Sequence, residues 1–245
     1  MALIDPDLLL RAYGIGVFPM ADSRDAKEVF WVEPRRRAII PLDGFRLSRS
    51  LRKTLRSGAF EVTADTDFAQ VVRLCAKRDE TWINDEIEKS FIELHRLGHA
   101  HSVECREDGE LVGGLYGVRL GGAFFGESMF SLRTDASKVA LAWLVARLKV
   151  GGFGLLDCQF MTDHLRSLGA VEISQQDYLA LLATAAGSGG SAGAAAGARE
   201  GAARRGPDAV PEFGALDRLL AAEAAGAVDS AAPGCVIAQL LGQTS

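Results

Sequence analysis

The sequence predicts an α+β fold in which a mixed, largely antiparallel sheet is covered by helices. Residues 101–106, 111–118 and 123–130 read as strands separated by short Gly-containing turns, which predicts an antiparallel meander. Residues 153–159 form a nearly continuous apolar run, typical of a strand inside a sheet. Helical patterns lie between these strands without a strict βαβ alternation, and this indicates the α+β class.

Capping residues mark the predicted helices. Asp5 followed by Pro6 predicts a helix start, Gly98 predicts a helix end, and Ser174 with Asp177 resembles a capping box. The predicted helices are residues 6–13, 48–57, 67–76, 84–97, 135–148, 164–168 and 178–183, with Thr134 or Asp135 capping the fifth. The other predicted strands are residues 29–32, 38–40, 61–63 and 235–241, whereas residues 18–20 open a loop.

The elements suggest four parts. We expect a small N-terminal α/β domain at 1–44 and a larger domain at 45–183. Residues 184–214 form an Ala/Gly-rich insertion that has few large apolar residues, so we expect it to be flexible. A C-terminal segment at 215–245 ends in the predicted strand at 235–241.

Composition excludes several classes of protein. At 245 residues with 48% hydrophobic content, the chain is long and apolar enough for a sizeable core. The four cysteines have no CxxC or histidine partner at ligand spacing, so neither a disulfide framework nor a zinc site is expected. No apolar run reaches the roughly 20 residues of a membrane helix, and the first residues do not resemble a signal peptide. We expect a soluble cytoplasmic protein without a membrane partner.

Positive charge is concentrated in one segment. The chain has a net charge of −5, yet residues 35–56 carry eight basic residues and one acid, Asp43. The spacing of Arg49, Arg52, Lys53 and Arg56 places them on one face of a short helix. Such a face is typical of phosphate contacts, and the alternative is a solvated helix face paired with acids elsewhere.

Polar groups follow apolar strand segments at two places. Glu127 comes after residues 123–125, and Asp157 comes after Leu155 and Leu156, with Gln159 two positions later. Burying an ionised carboxylate is costly unless it is paired and hydrogen-bonded. These residues allow two interpretations. The polar groups serve the function of the protein, or the two acids are satisfied buried groups that hold strands together.

Eight short motifs occur in an order that resembles the leucyl/phenylalanyl-tRNA–protein transferases. They are Tyr13-Gly14-x-Gly16-x-Phe18-Pro19-Met20, Thr81-Trp82-Ile83, Leu94-His95-x-x-Gly98-x-Ala100-His101-Ser102-Val103-Glu104, Val112-Gly113-Gly114-Leu115-Tyr116-Gly117-Val118, residues 126–131, Ala136-Ser137-Lys138, Asp157-Cys158-Gln159 and His164-Leu165-x-Ser167-Leu168-Gly169-Ala170. The resemblance covers about residues 8–182. The Ala/Gly-rich insertion departs from the family pattern.

The resemblance implies an activity and its partners. Members of this family move leucine or phenylalanine, less often methionine, from aminoacyl-tRNA to proteins that begin with arginine or lysine. The product is marked for N-end-rule degradation in the bacterial cytoplasm, and no cofactor is implied. The resemblance also implies that the larger domain has the shape of a GCN5-related acyltransferase.

The resemblance further assigns roles to residues. Glu127 would accept from the amino group of the donor, and the amide oxygen of Gln159 would accept from the incoming amine. Asp157 would orient that amide, because residues i and i+2 of a strand share a face. The acyl pocket would comprise Trp31, Trp82, Leu115, Phe124, Gly126, Leu144, Leu148 and Leu156. The tRNA phosphates would contact Arg46, Arg49, Arg52, Lys53 and Arg56. We expect His95, His101 and His164 to serve packing.

Three alternatives remain at this point. A coenzyme A-dependent acyltransferase would need a glycine-rich pyrophosphate loop, and residues 131–138 contain no glycine. A peptidoglycan aminoacyl-tRNA-dependent transferase would differ in its acceptor. A non-catalytic tRNA- or degron-binding module would tolerate substitution of Glu127, Asp157 and Gln159.

Overall fold

A computed structural model describes residues 3–187, 210–226 and 231–242. The strands are β1 (Phe18–Met20), β2 (Phe30–Val32), β3 (Arg36–Ile39), β4 (Glu61–Ala64), β5 (Ala100–Glu107), β6 (Glu110–Leu120), β7 (Ala123–Ser131), β8 (Leu155–Asp157) and β9 (Val171–Ser174). The helices are α1 (Pro6–Gly14), α2 (Arg49–Ser57), α3 (Phe68–Ala76), α4 (Asp85–Arg96), α5 (Ala136–Gly151), α6 (Asp163–Ser167), α7 (Gln175–Ala185), α8 (Ala215–Gly226) and α9 (Pro233–Leu240), with a 3-10 turn at Leu42–Gly44.

The main sheet has seven strands in the order β4-β5-β6-β7-β8-β3-β9. Neighbouring strands are antiparallel except for β7 and β8, which are parallel. The predicted meander is therefore β5-β6-β7, and β8 lies inside the sheet as expected. The mixed, largely antiparallel sheet covered by helices is confirmed.

Two apolar clusters cover the two faces of this sheet. Phe124 belongs to the cluster that includes α5 and the C-terminal helices, and Phe125 belongs to the cluster that includes α1, α3, α4 and α7. These neighbours on β7 point to opposite faces because side chains alternate along a strand. The functional groups described below lie where β7, β8 and β3 meet.

Helix caps agree with the sequence patterns at most starts. Asp5, Ser48 and Asn84 each accept a hydrogen bond from the backbone N–H three residues later. Ser174 accepts from the Asp177 N–H, which confirms it as the cap, and its hydroxyl donates to the Asp177 carboxylate. Asp135 stands at the predicted N-cap position of α5, but its side chain makes no capping hydrogen bond; Ser131 Oγ instead accepts from the Ser137 N–H at 3.1 Å.

The structure corrects several predicted elements. Residues 235–241 fall mostly in helix α9 rather than in a final strand, since Pro233 provides a helix start. Residues 18–20 form strand β1 rather than a loop, paired with β2 in a separate two-stranded sheet. Strand β9 and helix α8 are additional elements that the sequence patterns do not predict. The predicted strand at 153–159 is shorter, because β8 ends at Asp157.

The four-part division of the chain stays a prediction. Strand β3 lies in the main sheet between β8 and β9, although it falls within the expected N-terminal domain at 1–44. Helix α7 extends to Ala185, so the first residues assigned to the insertion at 184–214 are helical. Most of that insertion, residues 188–209, lies outside the described residues.

Candidate active site

An apolar cavity of about 270 Å³ opens beside the strands β6, β7 and β8. Five of the eight predicted pocket residues line it: Trp82, Leu115, Gly126, Leu144 and Leu156. Met129 and Leu141 add further apolar surface. The polar side chains Glu127 and Gln159 also face the cavity, so one wall of an apolar space carries hydrogen-bonding groups.

The other three predicted pocket residues do not line the cavity. Phe124 is fully buried and stacks on Phe213, with ring centroids 5.7 Å apart. Leu148 is fully buried in the same core cluster, one helical turn beyond Leu144 on α5. Trp31 is 42% exposed in β2, where it pairs with Pro19. The first two therefore serve packing, and Trp31 lies on the small sheet.

The predicted polar trio, Glu127, Asp157 and Gln159, comes together. Gln159 Nε2 donates to Glu127 Oε1 at 3.1 Å. The Gln159 backbone N–H donates to Asp157 Oδ1 at 2.9 Å. All three residues are buried, with Asp157 fully so. Within the described residues, no hydrogen bond is made to Gln159 Oε1, so that oxygen is available to a substrate.

The contact between Asp157 and Gln159 differs from the predicted one. Gln159 has a φ of +54°, beyond the end of β8, so the two residues do not share a strand face. The Asp157 carboxylate holds the backbone of Gln159 rather than its side-chain amide. The Gln159 carbonyl accepts from the Ala38 N–H at 3.0 Å, which fixes the turn from its other side. The side-chain amide is oriented by Glu127 instead.

Arg37 is the partner of Asp157 that sequence reasoning missed. Its Nη2 lies 2.6 Å from Asp157 Oδ2 and its Nε lies 3.0 Å from Oδ1. Its Nη1 donates to the Gly16 carbonyl at 3.0 Å, and Tyr178 Oη donates to Asp157 Oδ2 at 3.1 Å. Arg37 belongs to the basic segment at 35–56, but it is 1% exposed. It offers no charge to a phosphate at the surface.

The carboxyl group of Glu127 has an unusual pKa. Burial raises this pKa from its ordinary value near 4.5 to about 8. The negative charge of Asp157 adds to the increase, whereas the Tyr13 hydroxyl and Arg37 oppose it. Burial, and next the charge of Glu127, also raise the pKa of Tyr13, whose hydroxyl faces Glu127 without a hydrogen bond of normal geometry. Glu127 is therefore largely protonated at neutral pH in the free protein.

Other reactive groups at the cavity are held in neutral forms. Cys158 lines the cavity, and burial raises the pKa of its thiol, so it is not a thiolate nucleophile near pH 7. Within the described part of the chain, no group of His, Cys, Asp and Glu side chains could hold a metal ion.

Only one of the three histidines considered from the sequence reaches the cavity wall. His164 lines the cavity, burial lowers its pKa, and its buried Nε2 has no hydrogen-bond partner among the described residues. His101 Nδ1 lies 2.8 Å from Asp65 Oδ2, and His95 Nδ1 lies 2.8 Å from the Ala100 carbonyl oxygen. These two contacts fit the packing role expected for His95 and His101.

The predicted tRNA-binding residues lie on and just before α2. Leu51 and Leu55 are buried on one side of this helix, and Arg46, Arg49, Lys53 and Arg56 are exposed, with Arg52 half-buried. Within residues 3–187, 210–226 and 231–242, none of these five cations forms an ion pair. The single acid of the segment, Asp43, is paired with Lys149. The positive charge is thus free for an anionic partner.

Comparisons with known proteins agree along nearly the whole described chain. The model of the family "Leucyl/phenylalanyl-tRNA protein transferase" matches residues 39–183, and the model of its N-terminal domain matches residues 3–35. A leucyl/phenylalanyl-tRNA–protein transferase from Rhizorhabdus wittichii is 62% identical over 249 residues, covering 100% of both chains. One from Zymomonas mobilis is 62% identical over 190 residues, covering 76% of this chain and 71% of its own.

A GCN5-related N-acetyltransferase-like protein from Streptococcus suis superimposes with a TM-score of 0.29 at 14% identity, covering 68% of this chain and 65% of that one. Every helix in the described ranges is too short or too polar to span a bilayer. The matches of both family models and the full-length identity show that the chain belongs to the leucyl/phenylalanyl-tRNA–protein transferase family.

Proposed function

We propose that this chain transfers a leucyl or phenylalanyl group, less often a methionyl group, from its tRNA to an acceptor protein. The acceptor begins with arginine or lysine, and the product is marked for N-end-rule degradation in the cytoplasm. The observation that carries this proposal is an apolar cavity with Glu127 and Gln159 hydrogen-bonded to each other on its wall. The family membership of the chain supports the same reaction.

The cavity suits an acyl side chain. Leu115, Leu144 and Leu156 present apolar surface from three different elements, and a leucyl or phenylalanyl side chain gains by desolvation there. Discrimination by a single methylene is worth only about 1–3 kcal/mol. Overlapping use of leucine, phenylalanine and methionine follows from such a pocket.

Glu127 is matched to an amino group. Its pKa of about 8 lies close to the reference pKa of an α-amino group, about 7.7–8.0. A proton can then be shared between the donor's amino group and Glu127 at small cost, so the pair binds without isolating a charge in the cavity. We therefore infer that the donor amino group binds at Glu127 while the acyl side chain occupies the apolar space.

Gln159 positions the acceptor. Its free Oε1 accepts from the incoming α-amine, of which an appreciable fraction is neutral near pH 7. The amine nitrogen forms a bond to the acyl carbon, the ester bond to the tRNA ribose breaks, and the ribose oxygen takes a proton. This proton comes from the attacking amine, and a neutral amide is too weak a base to remove it. The contribution of Gln159 is therefore orientation, which is worth up to about 7–11 kcal/mol in well-oriented reactions.

The basic helix α2, together with Arg46, binds the donor's phosphates. Phosphate contacts position the nucleic acid and carry little sequence information. Choice of the amino acid therefore lies mainly in the cavity, and affinity for the tRNA lies mainly on α2.

Label transfer tests this proposal. The protein is incubated with radiolabelled leucyl-tRNA and three peptides that differ only in a first residue of Arg, Lys or Ala. We expect label on the first two peptides alone. A protein that binds leucyl-tRNA but transfers no label to any peptide would be a binding module, and the proposal would then be wrong.

A further inference from the structure

Helices α8 and α9 lie outside the two ranges that the family models match, residues 3–35 and 39–183. Nothing in the reaction described above uses them. Both helices nevertheless contact the catalytic part of the chain, α8 on α5 and α9 on α2 and α5. These contacts connect the C-terminal segment with the basic helix.

Helix α8 is fixed to α5 by a buried arginine. Arg147 is 2% exposed, and its two Nη atoms lie 2.6 and 2.7 Å from the Asp217 carboxylate oxygens. Arg147 Nη1 also donates to the Phe213 carbonyl at 3.0 Å, and the guanidinium lies 4.9 Å from the centre of the Phe213 ring. The segment after the insertion is therefore part of the folded core.

Helix α9 covers the apolar side of α2. Ile237 and Leu241 are buried in the same cluster as Leu51 and Leu55, the two buried residues of α2. At Gly234 the backbones approach so closely that a Cβ atom would overlap the Leu55 carbonyl oxygen. Only glycine allows this contact, so α9 begins directly against α2.

The far end of α9 lies beside a cation of α2. A Cβ atom on Gly242 would lie 3.2 Å from Arg52 Nη1, which places this guanidinium beside the last turn of α9. The C-terminal end of a helix carries partial negative charge, so it favours a cation there. Arg52 is accordingly the half-buried member of the basic set, whereas Arg49 and Lys53 are exposed.

We propose that α9 is a brace that holds the basic helix α2 in position for tRNA, so the C-terminal segment contributes to donor binding and not to chemistry. A nine-residue helix is marginal by itself and depends on packing for its order. Loss of α9 would expose Leu51 and Leu55 and release Arg52 from the end of α9. Helix α2 would then lose its fixed position, and its cations would lose their fixed arrangement. This inference rests on the proposed tRNA-binding role of α2.

The test compares two glycine substitutions in the same segment. Gly234→Ala forces α9 away from the Leu55 carbonyl, whereas Gly214→Ala places its methyl 3.9 Å from the nearest atom, Asp217 Oδ2. We expect Gly234→Ala to raise KM for leucyl-tRNA about tenfold. We also expect tRNA binding to depend less steeply on salt, by the amount that one phosphate contact contributes. The kcat, and turnover of 3′-leucyl-adenosine, which lacks the tRNA body, stay unchanged. Gly214→Ala changes none of these.

Hydrogen exchange of the α9 amides shows whether the helix has moved. Faster exchange in Gly234→Ala with an unchanged KM for leucyl-tRNA would overturn the brace. If Gly234→Ala does not fold, Ile237→Ala serves in its place, since it removes packing without an overlap. The companion variants Arg49→Ala and Lys53→Ala separate the two failures. If Arg49→Ala and Lys53→Ala raise KM and the α9 variants do not, only the proposed role of α9 is wrong. If Arg49→Ala and Lys53→Ala leave KM unchanged, the proposed tRNA-binding role of α2 is wrong, and so is the role of α9 that depends on it.

Discussion

Arg37 and Asp157 form a fully buried, bidentate ion pair between β3 and β8, with Nη2 2.6 Å from Oδ2. The same carboxylate accepts the backbone N–H of Gln159. Because its oxygens are already occupied by Arg37, Gln159 and Tyr178, Asp157 does not touch the substrate in our proposal. It is a positioning residue, and it holds the turn that carries the Gln159 amide.

Substitution of Asp157 is expected to affect both stability and turnover. Asp157→Asn keeps an oxygen for the Gln159 N–H but leaves Arg37 as a buried, uncompensated charge. Breaking such a pair costs about 3–5 kcal/mol, measurable by urea denaturation. Without the ion pair to Arg37 the residue at 157 is no longer held in place and neither is the turn that carries Gln159, so turnover of leucyl-tRNA falls strongly while tRNA affinity is kept. The double variant Arg37→Met/Asp157→Leu should recover stability without recovering turnover, and wild-type turnover in either variant would contradict the positioning role.

Stability should depend on pH through Glu127. Its folded pKa of about 8 lies above the ordinary value of 4.5, so the folded protein favours the neutral carboxyl group. This contribution is complete below about pH 4.5 and is lost as the pH rises to about 8. Glu127→Gln cannot ionise, so its stability relative to wild type should increase over this range by the order of a few kcal/mol.

Urea denaturation at pH 5 and pH 8.5 measures that difference. Glu93→Gln is the control. Glu93 is a half-buried acid on α4, and its hydrogen bond with Arg96 lowers its pKa rather than raising it. Identical pH profiles for wild type and Glu127→Gln would show that Glu127 is not a buried neutral acid.

Substitutions of two leucines on α5 can distinguish a role in selecting the acyl group from a role in packing. Leu144 and Leu148 are both buried on α5, but only Leu144 lines the cavity. Leu144→Ala enlarges the cavity and should shift kcat/KM toward phenylalanyl-tRNA relative to leucyl-tRNA by about tenfold, within the 1–3 kcal/mol expected for small apolar changes. Leu148→Ala should lower stability by about 2–5 kcal/mol and leave the ratio unchanged. A shift in both variants would place the acyl side chain elsewhere.

The basic helix should determine the salt dependence of donor binding. Arg49→Ala and Lys53→Ala each remove one exposed cation that has no partner among the described residues. Each substitution should make the plot of log K against log salt less steep by about 0.9, the value for one phosphate contact in B-DNA, which we apply here to double-helical RNA. Arg96→Ala is the control, since Arg96 is paired with Glu93 on α4. Slopes equal to that of the wild type would make α2 an ordinary solvated surface.

Local signals in the sequence were reliable where the physics is local. Asp5, Ser48, Asn84 and Ser174 cap helices within three residues of themselves, and the meander is marked by its own turns. The run at 235–241 misled because it contains Val236 and Ile237, which favour strands. A short apolar run does not distinguish strand from helix, and the start at Pro233 is the signal that could have done so.

Features of the site that depend on tertiary contact were not predictable. Arg37 and Asp157 are 120 positions apart, and Arg37 sits in a basic segment that gives no sign of its burial. The side-chain direction of Gln159 depends on a positive φ, which a residue other than glycine seldom adopts. The placement of Leu148 away from the cavity depends on where α5 crosses the sheet. The proximity of Glu127, Asp157 and Gln159 was predictable, but the hydrogen-bond network that joins them was not.

The most direct test of the proposed chemistry is the turnover of Gln159→Gly, measured as label transferred from leucyl-tRNA to a peptide beginning with Arg. Glycine adopts the φ of +54° readily and keeps both backbone hydrogen bonds, so only the amide is removed. Asp108→Gly, at φ +51° in the β5–β6 turn, is the matched control. We predict an unchanged fold and a kcat lower by the order of 10²-fold for Gln159→Gly alone, the cost of losing the orientation of the amine. A kcat within twofold of the wild type would contradict the role of this amide in presenting the amine.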